Sequence, residues 1–539
     1  MEEIMKKVIT LLLAIIMVVS MFAACTPADN TPEGGSESKA PAASGDNGGN
    51  SGNSGNSGNS GESGTPGESG NSGSETEPEE ELSVYAQIGI EENLNYGNTE
   101  FTIVHWNEGR PEFYIEEEDQ DGDPINDAIY KRNLYTEDLL GIEFNFIYNQ
   151  YTDNSVAAMN AWCDRLQNTM EDPSTPVDLF ASYSRVLSSA TVRGLNQDVS
   201  VYENLDLTKE WWPSAIIDEL SIDGKLFIFT GEISTNVLHN MYTIFYNKTM
   251  AEAYGLPDMT QLVKDDEWTI DAMIESTSVG YQDMNADGKT PDDQFGITFS
   301  WWCADALVQG ANFKILEAGN ADDIASGNYV NISNDFFSET LDSFIGKLGN
   351  WATSTYVFDD ANYSGDANNA FTEGRSIFHI NVVSAGFSLQ ETDLEYGILP
   401  IPIRDESQTT GYRTCLGNTY TNYGMARSCK DGDRAAAVAA TLGYYGNQLT
   451  TPAIFDVTFK GKFSKDPAMI EMFDIIRNGV CFDMGLLYMR ELNSINDKPT
   501  EAIRDNTDWL GVKMDTFARK ALNNLLKKFN NKLETLMES

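Results

Sequence analysis

Positive charge is scarce in this sequence. Lysine and arginine total 35 against 83 aspartates and glutamates, a formal net charge of −48 at pH 7. Such a chain repels nucleic acid and anionic membrane, so no nucleic-acid partner is expected. Histidine is nearly absent, with three in all. Cysteine is sparse too: none of the six is spaced for zinc, and none has a histidine close by, which argues against a thiol protease. Long apolar runs are missing beyond residues 8–19, and that run is shorter than the roughly 20 residues a membrane-spanning helix needs. Residues 26–81 hold almost nothing that could be buried, so ordering entropy is not offset and the tract is expected to stay disordered.

The order of the first 25 residues is informative. Lys6 and Lys7 give a positive start, an apolar run follows, and small residues precede Cys25. That is the layout of a secretory signal, with a short membrane anchor as the competing reading. "FAAC" (22–25) resembles the lipobox of bacterial lipoproteins, which implies that Cys25 becomes a lipid-modified N-terminus. Glu2 and Glu3 are odd in a positive leader, and translation from Met5 is expected instead. The repeat "GGNSGNSGNSGNSGESG" (48–64) then reads as a leash. A flexible chain of ~55 residues spans about 40 Å, and the acids at 75–81 stiffen it by self-repulsion. With Cys25 lipidated, five cysteines remain, an odd number that argues against a full disulfide framework. Cys415 and Cys429 could bridge, and free buried thiols are the alternative.

The body, from about Phe101 onward, alternates strand and helix patterns. "FTIVHW" (101–106) reads as a buried strand, residues 125–142 as a helix stopped at Gly141, and "EFNFIYN" (143–149) as a strand. Residues 152–170 form a second helix and "VDLFASY" (177–183) a third strand. Helix and then strand follow within "WWPSAIIDELSIDGKLFIFT". The pattern restarts at "MYTIFYN" (241–247), with a short helix stopped by Gly255 and Pro257. Asp265 or Asp266 is the expected cap of the next helix. "SIFHINVVSA" and "EYGILPIPI" are later strands, and an Ala-rich helix follows. Two α/β lobes are the economical account, with strand carboxyl ends facing a shared cleft.

Five stretches carry a family resemblance: "VDLFASYSRVLSSATVRGLNQDVSVYEN", "GKLFIFTGE", "TIFYNKTMAEAYGLPD…WTIDAM", "FTEGRSIFHI" and "EYGILPIPIRDESQ". In their order and spacing they resemble the extracellular solute-binding lipoproteins of carbohydrate ABC transporters, in the maltose-binding-protein superfamily. "FTIVHWNEG" lacks the Trp-Gly opening of well-known members. The resemblance implies an α/β two-lobe periplasmic-binding-protein-like fold with a hinge and an interlobe cleft. It divides the chain into a signal peptide (1–24), a lipidated and disordered tether (25–98), lobe 1 (99–238 plus 418–450) and lobe 2 (239–417 plus 451–539). The lobes are expected to cross near 235–242, 412–419 and 449–453. It implies a monomer on the extracellular face of the membrane, held there by lipid alone. That monomer would capture a sugar by lobe closure and pass it to permease subunits, with no catalysis.

Sugars offer apolar C–H faces and hydroxyl edges, so their sites need aromatic plates and polar rims. Candidates at strand ends are Trp106, Glu108, Ser182, Tyr183, Trp301, Trp302, Asn381, Tyr412, Arg413, Asn418 and Tyr420, each competing with a packing role. Trp211 and Trp212, before Pro213, read as packing residues, and His379, inside a strand, as a hydrogen-bonded structural histidine. "DMNADGKTPDDQFG" (283–296) is the sharpest local motif. Asp283, Asn285 and Asp287 stand at positions 1, 3 and 5 of a calcium loop, Gly288 at 6, and Lys289 would offer its carbonyl at 7. Position 12 is Gln294, so Asp292 or its neighbour Asp293 would have to close the site. Some members of the resembled family carry a similar loop; the alternative is an Asx-rich turn that binds nothing. A structural Ca2+ is the expectation. A surface glycosidase or lyase is a rival function, since two carboxylates ~5–10 Å apart would suffice for hydrolysis. A peptide-binding or sensor-coupled protein on the same fold is the other.

Overall fold

The computed structural model describes residues 82–106, 110–116, 122–151, 153, 155–459 and 466–538. The signal-like run, Cys25, the Gly/Ser/Asn tract and Glu108 lie outside the described residues.

Two mixed sheets organise the chain. The strands are β1 (Thr99–His105), β2 (Ile142–Tyr148), β3 (Leu179–Tyr183), β4 (Tyr242–Asn247), β5 (Phe295–Phe299), β6 (Leu316–Ala318), β7 (Val330–Ile332), β8 (Val357–Asp359), β9 (Ser376–Val382), β10 (Tyr396–Leu399) and β11 (Thr421–Met425). The first sheet runs β11-β3-β1-β2, the second β10-β4-β9-β5-β8, and β6 pairs with β7 alone. β1 is parallel to both β2 and β3, and β5 to both β8 and β9. β11 and β4 introduce antiparallel pairs. β3, β4, β5, β10 and β11 are buried at every residue. Of these, β3, β4 and β10 carry strand-like sequence, whereas β5 ("FGITF") and β11 ("TNYGM") hold glycine and polar residues and are not legible as strands from the sequence.

Local chemistry sets the helix ends. Asp123 caps the helix Pro124–Leu140 through Ile125 and Asn126 N–H, proline opens it, and Gly141 ends it at φ 60°. The expected cap at Asp265 or Asp266 is corrected. Asp265 ends the helix Met259–Lys264, and Thr269 caps Ile270–Thr277 by accepting from Ala272 N–H. Trp268 explains the shift: it is fully buried and donates to Pro400 O, so the chain must turn before the helix starts. The expected strand in "GKLFIFT" is reduced to two isolated bridges, Lys225 to Ile222 and Phe229 to Tyr423, the second on the outer edge of β11.

The chain leaves the first sheet after β3 and returns to it at β11. The two passes run side by side: Met241 pairs antiparallel with Leu416, Tyr242 N–H donates to Cys415 O at 3.0 Å, and Gly417 N–H donates to Asn240 O at 2.8 Å. A third pass is helical throughout. Gly432–Tyr445 packs on the helix Pro124–Leu140, widens to π geometry over Gly446–Thr450 and continues as Thr451–Thr458 against the segment after β9. The closing helix, Thr516–Met537, fastens β7: Asn530 Oδ1 accepts from Val330 N–H and its amide donates to Val330 O. All five cysteines among the described residues are free thiols. No described helix is long and apolar enough to cross a membrane.

Candidate functional site

Aromatic side chains gather where the parallel strands end. On the first sheet, β1 runs into Trp106 and β3 ends at Tyr183, and their rings stack at 5.8 Å between centroids, 19° apart. Tyr151, just past β2, meets both at 5.9 Å. Trp106 Nε1 donates to Thr421 Oγ1 at 3.1 Å, which fixes the indole plane. Arg185 follows on the first turn of the helix Ser184–Thr191, its guanidinium 5.8 Å from the Tyr183 ring.

On the second sheet, β5 ends at Phe299 and feeds the short turn Trp301–Cys303. Trp302, 36% exposed, stacks on Tyr363 at 3.9 Å. The Arg504 guanidinium lies 5.3 Å from the Trp301 ring. Tyr363 belongs to the loop after β8, which Asp360 pins: its carboxylate accepts from Ser364 N–H at 3.0 Å and Gly365 N–H at 2.8 Å. Burial opposes the Asp360 charge, but these N–H donors hold its pKa below the ordinary value.

Contacts join the two walls. Burial pushes the Asp305 carboxyl up to about 7; the Thr500 hydroxyl and Arg185 pull it down and Asp497 pushes it up. Burial also raises Asp497, again against Arg185. The positive charge of Arg185, just past β3, therefore acts on acids of the second half. Arg110, beyond β1, places its guanidinium 4.0 Å from the Phe387 ring in the segment after β9.

The sequence-derived candidates divide. Trp106, Tyr183, Trp301 and Trp302 all stand at strand ends, but of these only Trp301 and Trp302 reach solvent, whereas Trp106 and Tyr183 are buried. Asn418 is adjacent, its carbonyl accepting from Ser184 Oγ at 2.7 Å, and Tyr420 is buried nearby. Ser182 is fully enclosed, as is every residue of β3. Asn381 is spent on neighbours: its amide lies 3.0 Å from His379 Nε2, and its Oδ1 accepts from Val382 N–H at 2.8 Å. Tyr412 and Arg413 are tied up elsewhere in the protein. Tyr412 Oη donates to Val263 O at 3.1 Å. Arg413 is bonded to Glu219 at 2.6 Å in a buried cluster with Lys314. His379 is structural, bonded to Thr298 at 2.9 Å with its pKa lowered by burial to about 4. Trp211 and Trp212 are buried packing residues. Sequence reasoning missed Tyr151, Arg185, Asp305, Asp359, Tyr363 and Arg504. β8 is only three residues long, too short for a periodic signal, although the acid pair that ends "YVFDD" was a usable hint.

The calcium-like loop closes on itself. Gln282 and Gln294 form its stem as an antiparallel bridge, with Ala286 at φ 63° and Gly288 at φ 94° in the turn. Asp283, Asp287 and Asp293 each bring a carboxylate oxygen within 4.8 Å of the others. Of the two closing candidates, Asp293 converges and Asp292 points to the exposed side. Asp293 is turned inward because its oxygens accept from Met284 and Thr290 N–H, both at 3.0 Å. Burial works against its charge, but these donors hold its pKa below the ordinary value. Asn285 donates to Asp287 at 2.9 Å, and the Lys289 ammonium bonds Ser354 O at 3.2 Å.

Two mixed sheets joined by paired crossings define a two-lobe α/β binding-protein architecture. Residues 137–441, more than half of the 539, match the bacterial extracellular solute-binding protein family, and the chain belongs to that family. Membership makes it one of a class of binding proteins that work outside the cytoplasm. Among solved structures, a cyclo/maltodextrin-binding protein complexed with maltotetraose has a TM-score of 0.50 at 14% identity, covering 80% of this chain and 97% of the other, and shows the shared fold. The galacto-N-biose/lacto-N-biose I-binding protein of an ABC transporter from Bifidobacterium longum, in complex with lacto-N-biose, has a TM-score of 0.49 at 15% identity, covering 81% and 98%. An ABC substrate-binding protein from Listeria monocytogenes, in complex with cycloalternan, has a TM-score of 0.46 at 13% identity, covering 81% and 99%. No curated protein matches this sequence.

Proposed function

We propose that the chain is a lipid-anchored, monomeric receptor that captures a sugar or oligosaccharide between its two halves and hands it to an ABC transporter permease. The observation that carries this reading is the exposed stack of Trp302 on Tyr363, with Trp301, Asp359 and Arg504 beside it. Aromatic plates with carboxylate and guanidinium rims suit hydroxylated rings. Family membership supports capture of a solute, and the neighbour of the same fold is described with maltotetraose bound. Closure would turn on the crossings at Met241 and Leu416 and on the helical third pass. Lipidation at Cys25 and the leash at 26–81 would hold the body beside its permease.

A structural Ca2+ is part of the proposal. Asp283, Asp287 and Asp293 would supply carboxylate oxygens, with Asn285 and the Lys289 carbonyl completing an oxygen shell. The ion would staple the loop ahead of β5 and take no part in capture.

The test is a thermal-melt screen of the full chain against neutral tetrasaccharides built on glucan, xylan, mannan and galactan backbones, followed by calorimetry and product analysis. A shift of several degrees with one glycan and no product supports the receptor reading. Cleavage of the glycan would install the hydrolase reading instead. No shift with any glycan, and a shift with peptides, would redirect it to peptide capture.

A further inference from the structure

One carboxylate in the second wall is incomplete. Asp359 ends β8, directly across from Phe299, the last residue of β5. Among the described residues its Oδ1 is the one enclosed carboxylate oxygen that has no hydrogen-bond donor. Buried acceptors are almost always satisfied, so an orphaned one implies an absent donor. Asp360, the next residue, is the opposite case: both its oxygens are taken by Ser364 and Gly365, and it shapes the loop rather than facing a ligand.

The loop that Asp360 shapes presents a strained aromatic. Tyr363 has φ 55°, a left-handed backbone that a bulky residue adopts only when its surroundings impose it. What the strain achieves is visible: the ring lies on Trp302 at 3.9 Å, 23° from parallel, while both side chains keep more than a third of their surface exposed. The stacked pair thereby presents apolar ring surface to solvent. The Asp359 charge acts on Tyr363, and Arg504, beside Trp301, acts on both. Burial raises the Asp359 carboxyl to about 6, against the pull of Arg504, so a donor that compensates it gains more than it would in water.

We propose that Asp359 is the specificity-determining acceptor of a ring-sized subsite, reading ligand hydroxyls above the exposed platform made by Trp302 and Tyr363. The platform selects a flat apolar face and the carboxylate selects the hydroxyl edge beside it, so the subsite takes a neutral pyranose ring. This inference rests on the glycan reading above.

Calorimetry on the full chain tests it, using the neutral tetrasaccharides of the screen with wild type, Asp359→Asn and the exposed control Asp218→Asn. Loss of a hydrogen bond to a charged group lowers affinity by about 10- to 100-fold. Asp359→Asn is expected to show that loss, with an unchanged or raised melting temperature in sugar-free protein, and Asp218→Asn is expected to match wild type. Wild-type affinity in Asp359→Asn would overturn the inference and leave the glycan reading intact. A lowered melting temperature in the sugar-free variant would also overturn it, by making Asp359 structural. If no tetrasaccharide binds wild type, the glycan reading itself fails and the inference falls with it.

Discussion

Arg477 Nη1 lies 2.8 Å from Glu232 Oε1, tying the helix Pro467–Asn478, which packs on β10, to the segment that borders β11. Glu232 Oε2 accepts from Asn447 at 3.1 Å and Thr451 at 2.6 Å, so the carboxylate is fully used. Removing Arg477 leaves the buried carboxylate with only the Asn447 and Thr451 donors. Arg477 keeps 23% of its side chain exposed, so the cost falls below that of a dry pair. Arg477→Ala is expected to lower the unfolding free energy by about 2–3 kcal/mol. Urea denaturation reads it, and a midpoint unchanged from wild type would remove this contact from the stability account.

The same carboxylate segment explains the widened turn in the third crossing. A Cβ on Gly446 would sit 2.0 Å from Glu232 O, inside backbone rather than a yielding side chain. Glycine lets the helix and the Glu232 backbone approach, and the π geometry over Gly446–Thr450 follows where that approach is made. Gly446→Ala must push the helix away, at a cost of about 1–3 kcal/mol by overpacking. Its melting temperature is expected to drop, while Gly255→Ala, with open space around it, is expected to lose only what its φ of 68° costs.

Much of this architecture was readable from residue order. Buried strands such as β3 and β4 are rich in aromatic and aliphatic residues, and Gly141 marks a helix end by backbone geometry that glycine tolerates best. Reading failed where tertiary contacts decide. Thr269 outcompetes Asp265 as a cap only because Trp268 must reach Pro400 O. The site was half legible. Tryptophans at strand ends announce themselves, but Tyr363 enters the wall through a left-handed turn pinned by Asp360, and no periodicity encodes that. Arg413 misled for the reverse reason: it follows a strand-like stretch, yet its charge is consumed by Glu219, 194 positions away in sequence.

Asp305 gives the cleft a pH signature. Its folded pKa is about 7 against an ordinary 3.8, so the folded chain holds this proton where the unfolded chain has released it. The contribution is therefore intact below about pH 4 and is lost as pH rises to about 7, at about 1.4 kcal/mol for each unit crossed. Asp305→Asn carries no such proton. Its melting temperature is expected to match wild type at pH 4 and to exceed it at pH 7.5. A constant offset across that range would show that Asp305 has an ordinary pKa.

The calcium loop makes a position-specific prediction. If Asp283, Asp287 and Asp293 hold the ion, chelator lowers the melting temperature, and calcium at 100 times its dissociation constant restores about 2.7 kcal/mol. Asp293→Asn is expected to abolish the chelator effect and Asp292→Asn to preserve it, since only Asp293 turns inward. Equal melting with calcium and chelator in wild type would make the loop an Asx-rich turn.

Trp302 and Tyr363 separate binding from stability. Trp302 is 36% exposed and Tyr363 49%, so neither contributes what a core aromatic does. Trp302→Ala is expected to cost about 1 kcal/mol of stability or less, while removing a stacking plate weakens the captured glycan by about 10-fold or more. Tyr363→Gly goes further. Glycine accepts φ 55° without penalty, so relief of about 1–2 kcal/mol offsets the lost ring contact and leaves the melting temperature near wild type. Affinity should fall all the same, because the ring that the strained backbone presents is gone. Calorimetry beside thermal melts distinguishes the cases: affinity lost at constant stability marks a platform built for a ligand, whereas stability lost at constant affinity would make the stack ordinary surface packing.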